Sequence, residues 1–189
     1  MRRYSGAVAF VSYLAVTAVL AFPLVQLLSV RFPSDPADPV LNAWILWGNT
    51  QVLPLTEQWW HAPAFYPTPN IMAYSEHLVG LIPIYAPLYW VTGNPVVAYN
   101  VTFLLTFPLS GWAAYLLGRE LTGRQDAAWL AGLAFAFAPY RMDQLAHLQV
   151  LASFWMPLAL LGLHRYLRIA SGRGLLLFGV ATAMQGLSN

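Results

Sequence analysis

The sequence predicts an all-α fold: a polytopic transmembrane helix bundle of about five to six spans, with a long first outer loop bearing interfacial helices. Three observations predict it. The 189 residues are 59% hydrophobic and only 8% charged, whereas a soluble domain carries roughly 25% charged residues. So little polar surface cannot cover a particle in water. Charge-free stretches recur at about the 20 residues needed to cross a bilayer. Basic and acidic residues also segregate into alternate connecting segments. The same composition excludes disorder, which needs low hydrophobicity and high net charge. A net charge of +2, carried by Arg with no Lys, is too small for a nucleic-acid surface. With no Cys, disulfides, thiolate zinc sites and a cysteine nucleophile are excluded.

Residues 4–30, between Arg3 and Arg31, carry no ionised side chain and read as the first span. Met1-Arg2-Arg3 resembles a signal n-region, but the apolar run is too long for an h-region and no small-x-small site follows. An uncleaved signal-anchor is expected. Residues 31–94 form the long extracytoplasmic loop. Within it, residues 40–53 put Leu41, Trp44, Ile45 and Trp47 on or near one helical face, as in a helix lying in the interface. Trp59, Trp60, Tyr66, Tyr74, Tyr85, Tyr89 and Trp90 supply an aromatic belt.

Residues 78–91 contain Pro83 and Pro87. At 1.5 Å per residue they reach about 21 Å, short of a roughly 30 Å hydrocarbon core. They read as a re-entrant or interfacial segment, or as a short span sheltered by protein. Thr92-Gly93-Asn94-Pro95 is a turn signal. Spans follow over residues 95–118, 127–145, 148–163 and 174–189, the third kinked at Pro157. With 78–91 non-spanning, Arg2, Arg3, Arg119, Arg124, Arg165, Arg168 and Arg173 fall inside, and Asp35, Asp38, Glu57, Glu76 and Asp143 fall outside. That puts the N-terminus in the cytoplasm of what the Arg-rich, Lys-free composition suggests is a bacterial plasma membrane. If 78–91 spans instead, every later loop flips against the positive-inside rule. Residues 1–189 read as a single membrane domain, the N-terminal fragment of a larger protein.

Chemistry can sit at three places. Asp35 and Asp38 lie just past the first span among Pro33, Pro36 and Pro39. Asp38-Pro39 also suits the cap and first residue of the helix that follows. Ser75-Glu76-His77 suits a helix start, or contributes ligands to a metal. Tyr140-Arg141-Met142-Asp143 to His147-Leu148-Gln149 brings ionisable groups to or inside the outer membrane boundary, where they are costly unless paired, buried in protein or lining a wet cavity. If that run is helical, Asp143 and His147 sit at i,i+4. The structural reading is a snorkelling Arg beside a local Asp–His bridge. The functional one is an anion site built on the planar Arg fork, with His147 supplying a proton near neutral pH. Walker A, GxSxG and HExxH patterns are absent. Asn100-Val101-Thr102 matches a glycosylation sequon but falls in or beside a span.

The order Asp38-Pro39…Asn42…Trp44, Phe65-Tyr66-Pro67, Ser75-Glu76-His77, Thr92-Gly93-Asn94-Pro95…Tyr99-Asn100, Phe135-Ala136-Phe137-Ala138-Pro139-Tyr140-Arg141 and His147-Leu148-Gln149 resembles the GT-C class of membrane glycosyltransferases, and in particular uncharacterised bacterial multi-span proteins placed near it. The resemblance implies a sugar donor linked to polyprenyl phosphate, contact with membrane lipid, and an acidic residue of the first outer loop acting as base or as ligand to a divalent metal. Asp38 is then the catalytic candidate and Asp35 the second. On charge and side, Arg141 and His147, with Asp143, Glu76 and His77, are assigned to substrate. Trp59 and Trp60 either stack on sugar or anchor at the interface. Two other readings compete. One is a transporter-like lipid- or sugar-handling protein. The other is a non-catalytic membrane component whose partners dock on small-residue faces such as those around Gly111 and Gly132.

Overall fold

The computed structural model describes residues 5–35 and 37–188, and every regular element among them is helical. Helix α1 runs Ser5–Leu20. It stops well short of the expected residue 30 because Pro23 has no N–H to donate into the preceding turn, and the chain passes through a 3-10 turn at Leu24–Gln26. The carbonyls freed by this break find a partner across the bundle. The fully buried Asn100 donates from Nδ2 to Leu28 O at 2.7 Å and to Arg31 O at 2.6 Å. A side chain held this way is no glycosylation site.

Helix α2, Ala37–Gln51, covers the stretch read as helical and buries Asn42, Ile45, Leu46 and Asn49 against the rest of the chain. It is followed by the short α3, Glu57–Trp60, and by α4, Ile82–Thr92. Gly93 ends α4 at φ +63°, donating to Tyr89 O at 2.8 Å. Asn94 then caps the next helix, accepting from Val96 N at 2.9 Å and Val97 N at 3.1 Å, with Pro95 at the first position. The sequence turn at 92–95 is therefore a tight reversal between α4 and α5, Pro95–Thr122.

Helix α5 is the axis. Helix α1 lies antiparallel to it, since Gly6 approaches Trp112 and Tyr115 while residues 28 and 31 meet Asn100. Helix α6, Gln125–Ala136, returns beside both. Tyr13 Oη donates to Trp129 O at 2.8 Å, and its ring fills the space left by Gly111 and Gly132. The small-residue faces read as partner surfaces are thus consumed inside the chain. Short helices α7, Pro139–Asp143, and α8, Leu148–Leu151, lead into α9, Trp155–Ile169. Helix α9 descends parallel to α5, as Arg165 reaches Glu120 at 2.8 Å. Helix α10, Gly172–Gly186, climbs back along α9, and Leu187 O accepts from Gly80 N at 2.8 Å. The main core packs Ile45, Leu46, Tyr85, Phe103, Phe107 and Leu148 between α2, α4, α5 and α8.

Two helical stretches among the described residues, Pro95–Thr122 and Leu148–Ile169, are long and apolar enough to cross a membrane, against the five to six expected. Helix α1, with 16 residues, reaches about 24 Å. Val8, Leu20, Leu130, Leu160, Leu167 and Leu176 are exposed large apolar side chains on α1, α6, α9 and α10, weakly consistent with a lipid-facing surface. The bundle has two chemically distinct ends. Arg119, Arg124, Arg165, Arg168 and Arg173 gather at the α5–α6 and α9–α10 turns, where Glu120 also lies 3.8 Å from Arg168. The opposite end carries Asp38 and His147. The predicted contributions of Arg2 and Arg3, and of Pro36 to the proline frame, lie outside the described residues.

Candidate functional site

The opposite end is built by α2 and the residues before α8. Helix α2 begins at Ala37, two residues before the expected first position at Pro39, so Asp38 sits in its first turn rather than as its cap. Helix α7 ends at Asp143, and residues 144–146 form a turn. This breaks the anticipated helical run, so Asp143 and His147 are not i,i+4 partners; Asp143 is exposed. His147 instead turns to Asp38, with Nε2 to Oδ2 at 3.3 Å and the two side chains 42% and 51% exposed. Asn42, one turn along α2, fixes the approach by donating to Ala146 O at 3.3 Å. With the ring proton on Nε2, the imidazole donates to the carboxylate, and the buried Nδ1 has no partner among the described residues.

A second group adjoins through α8. Gln149 donates to Glu76 Oε1 at 2.8 Å, and Ser75 Oγ donates to Oε2 at 3.0 Å. Ser75 therefore serves the carboxylate rather than a helix start. The buried Asn49 of α2 donates to His77 O at 2.8 Å and accepts from Trp59 Nε1 at 2.6 Å. The His77 ring lies 5.2 Å from that of Trp59 and 5.3 Å from that of Trp60, and its Nε2 is 3.0 Å from Met72 O. Trp59 is 4% exposed, so its ring is a core piece with no open face for a sugar; Trp60 is partly buried. Asp35 is exposed in the segment before α2. No three His, Asp or Glu side chains among the described residues group as metal ligands.

Arg141 does not join this corner. It is 4% exposed, donating from Nε to Ala136 O at 3.1 Å, from Nη1 to Ser153 Oγ, and from Nη2 to Ser110 Oγ and Leu151 O, both at 3.0 Å. Ser110 lies near the midpoint of α5, whereas His147 meets α2 at its start. The expected Arg–His corner is therefore divided, with the imidazole at the rim and the guanidinium inside the bundle.

An apolar groove of about 240 Å³ is walled by Leu20, Phe22, Phe107, Phe137 and Leu145, with Arg31 as its charged wall residue. Leu145 of this wall is two residues before His147 in the chain, but neither His147 nor Asp38 lines the groove. Asn42, Asn49 and Gln149 were not assigned roles from sequence. The available signal was two Asn seven residues apart on an otherwise apolar helix, hence on one face. No protein-family model, curated protein or solved structure matches the chain.

Proposed function

We propose that the chain is a GT-C-like membrane glycosyltransferase, or the N-terminal part of one, that moves a sugar from a polyprenyl-phosphate donor to an acceptor on the outer face of a bacterial plasma membrane. In this reading the bundle has five spans, the arginine-rich end is cytoplasmic, and Asp38 and His147 face the other side. The observation that carries it is the contact of the Asp38 carboxylate with the His147 imidazole, half exposed at the end of the bundle away from the arginine-rich turns, in a chain that also holds a groove walled by Phe22, Phe107 and Phe137. A groove of that composition suits an isoprenyl chain, and Arg31 on its wall suits the phosphate. Asp38 takes the acceptor hydroxyl's proton as its oxygen attacks the anomeric carbon, and the bond to the lipid phosphate breaks. Arg31 replaces Arg141 as the cation meeting the charge that grows on the departing phosphate.

The test is transfer of labelled sugar from a polyprenyl-phosphate donor by membranes containing the protein. Asp38→Asn is expected to slow transfer by about 10²–10⁴, the usual contribution of a general base, with membrane insertion intact. Full activity in that variant discards the assignment. The groove also supports a second reading, a lipid-handling component without catalysis. Saturable binding of polyprenyl phosphate with no transfer from any donor would favour it.

A further inference from the structure

We propose that a cavity beside Arg141 is a second binding site, separate from the Asp38–His147 corner, for a hydroxyl-bearing phosphate ester. Arg141 has no carboxylate partner among the described residues. Its described hydrogen bonds all go to neutral oxygens, and the rings of Phe107 and Phe135 lie 5.7 Å from its Cζ. Nε and Nη2 are fully used, while Nη1 has one acceptor, Ser153 Oγ, for its two N–H groups. A buried guanidinium keeps its charge, and burying it against neutral groups alone is costly. Tying helices together through neutral oxygens does not require a cation; meeting an anion does.

The cavity lies on the Nη1 side. Its volume is about 430 Å³, and Ser153 and Arg141 share its wall with Gln149, Gln185 and Met156. That volume is within the usual small-molecule range. The Oε1 atoms of Gln149 and Gln185 are both buried and have no donor. Gln149 cannot answer by rotating its amide, because its Nε2 is held by Glu76. The wall therefore presents one spare cationic donor and two spare carbonyl acceptors. A phosphate ester with neighbouring hydroxyls satisfies both: its oxyanion faces Arg141 and its hydroxyls donate to the glutamines. A free ester such as glycerol 3-phosphate, with two hydroxyls, can answer both glutamines, and a lipid head such as a lysophosphatidate, with one, can answer one of them beside the same phosphate. This site does not depend on the transfer reaction proposed above.

The experiment is equilibrium binding and thermal unfolding of the whole chain in a neutral detergent, with glycerol 3-phosphate, oleoyl lysophosphatidate and, as a control, glycerol. At least one phosphate ester is expected to bind saturably and raise Tm, and glycerol is not. Binding of glycerol 3-phosphate identifies a free ester as sufficient; binding of the lysophosphatidate alone identifies a lipid source. Met156→Trp, which adds bulk to the cavity wall without touching a hydrogen bond of Arg141, should weaken binding at least tenfold, and Gln185→Leu severalfold, both with unchanged helical circular dichroism. Absence of saturable binding by either ester, or equal binding by the folded Met156→Trp protein, overturns the proposal.

Discussion

Asp38 and His147 meet where both side chains are about half exposed, and ion pairs in such settings contribute about 0–1 kcal/mol. Their role is therefore separable from folding. His147→Gln should leave Tm within about 4 °C of the parent, since ~1 kcal/mol corresponds to roughly 2–4 °C at this chain length, while sugar transfer falls. A drop in Tm far beyond that, with transfer lost only in step with folded protein, would make the pair structural. At the other end, Arg124 donates to Asp126 from Nη2 at 2.6 Å and from Nε at 3.1 Å. These bonds, with the Ala127 N–H, hold the Asp126 carboxyl down at about 2, against ~3.9 for a free Asp. A depressed carboxylate contributes stability that is present above the free value and lost as pH falls through the folded one, here between about 4 and 2. The pair is largely exposed, so titration is the sensitive readout. Carboxyl NMR should give a midpoint near 2, and Arg124→Gln should return it to the ordinary range; an unmoved midpoint rules out the pair as the cause. Residue types announced Asp38 and His147 as polar groups in an apolar chain. Their contact was not legible, because it depends on the turn at 144–146.

Helix ends were the most readable elements. Thr92-Gly93-Asn94-Pro95 encodes a left-handed stop, a side-chain cap and a proline start in consecutive residues, each with a local cause. Asn94→Ala should destabilise by about 1 kcal/mol, the usual loss of an N-cap, read as a lowered unfolding midpoint. Helix α1 was read too long because charge-free residues continue past Pro23, and hydropathy does not register a missing N–H. The glycines of α5 and α6 were legible as small but not as occupied. A Cβ on Gly111 would stand 2.7 Å from Tyr13 Cδ2, so Gly111→Ala should cost about 1–3 kcal/mol by overpacking. An alanine variant as stable as the parent would mean that α1 packs elsewhere.

Across the whole molecule, the apolar composition made the all-helical class legible, and the spacing of arginines anticipated which turns share an end. Arg141 shows where such reasoning stops. Charge counting put it near or inside the outer boundary and left burial in protein as one of three options; Ser110, Ser153 and two backbone carbonyls hold the buried guanidinium. No local pattern lists four acceptors drawn from three separate elements. The proposed function requires Asp38 and His147 on one face of the membrane and Arg124 on the other. The chain has no native cysteine, so single Asp38→Cys, His147→Cys and Arg124→Cys variants can be labelled cleanly with a membrane-impermeant maleimide in intact cells. Positions 38 and 147 should label from outside, and 124 only after permeabilisation, if that topology holds. Labelling of 38 and 147 from opposite faces would contradict it.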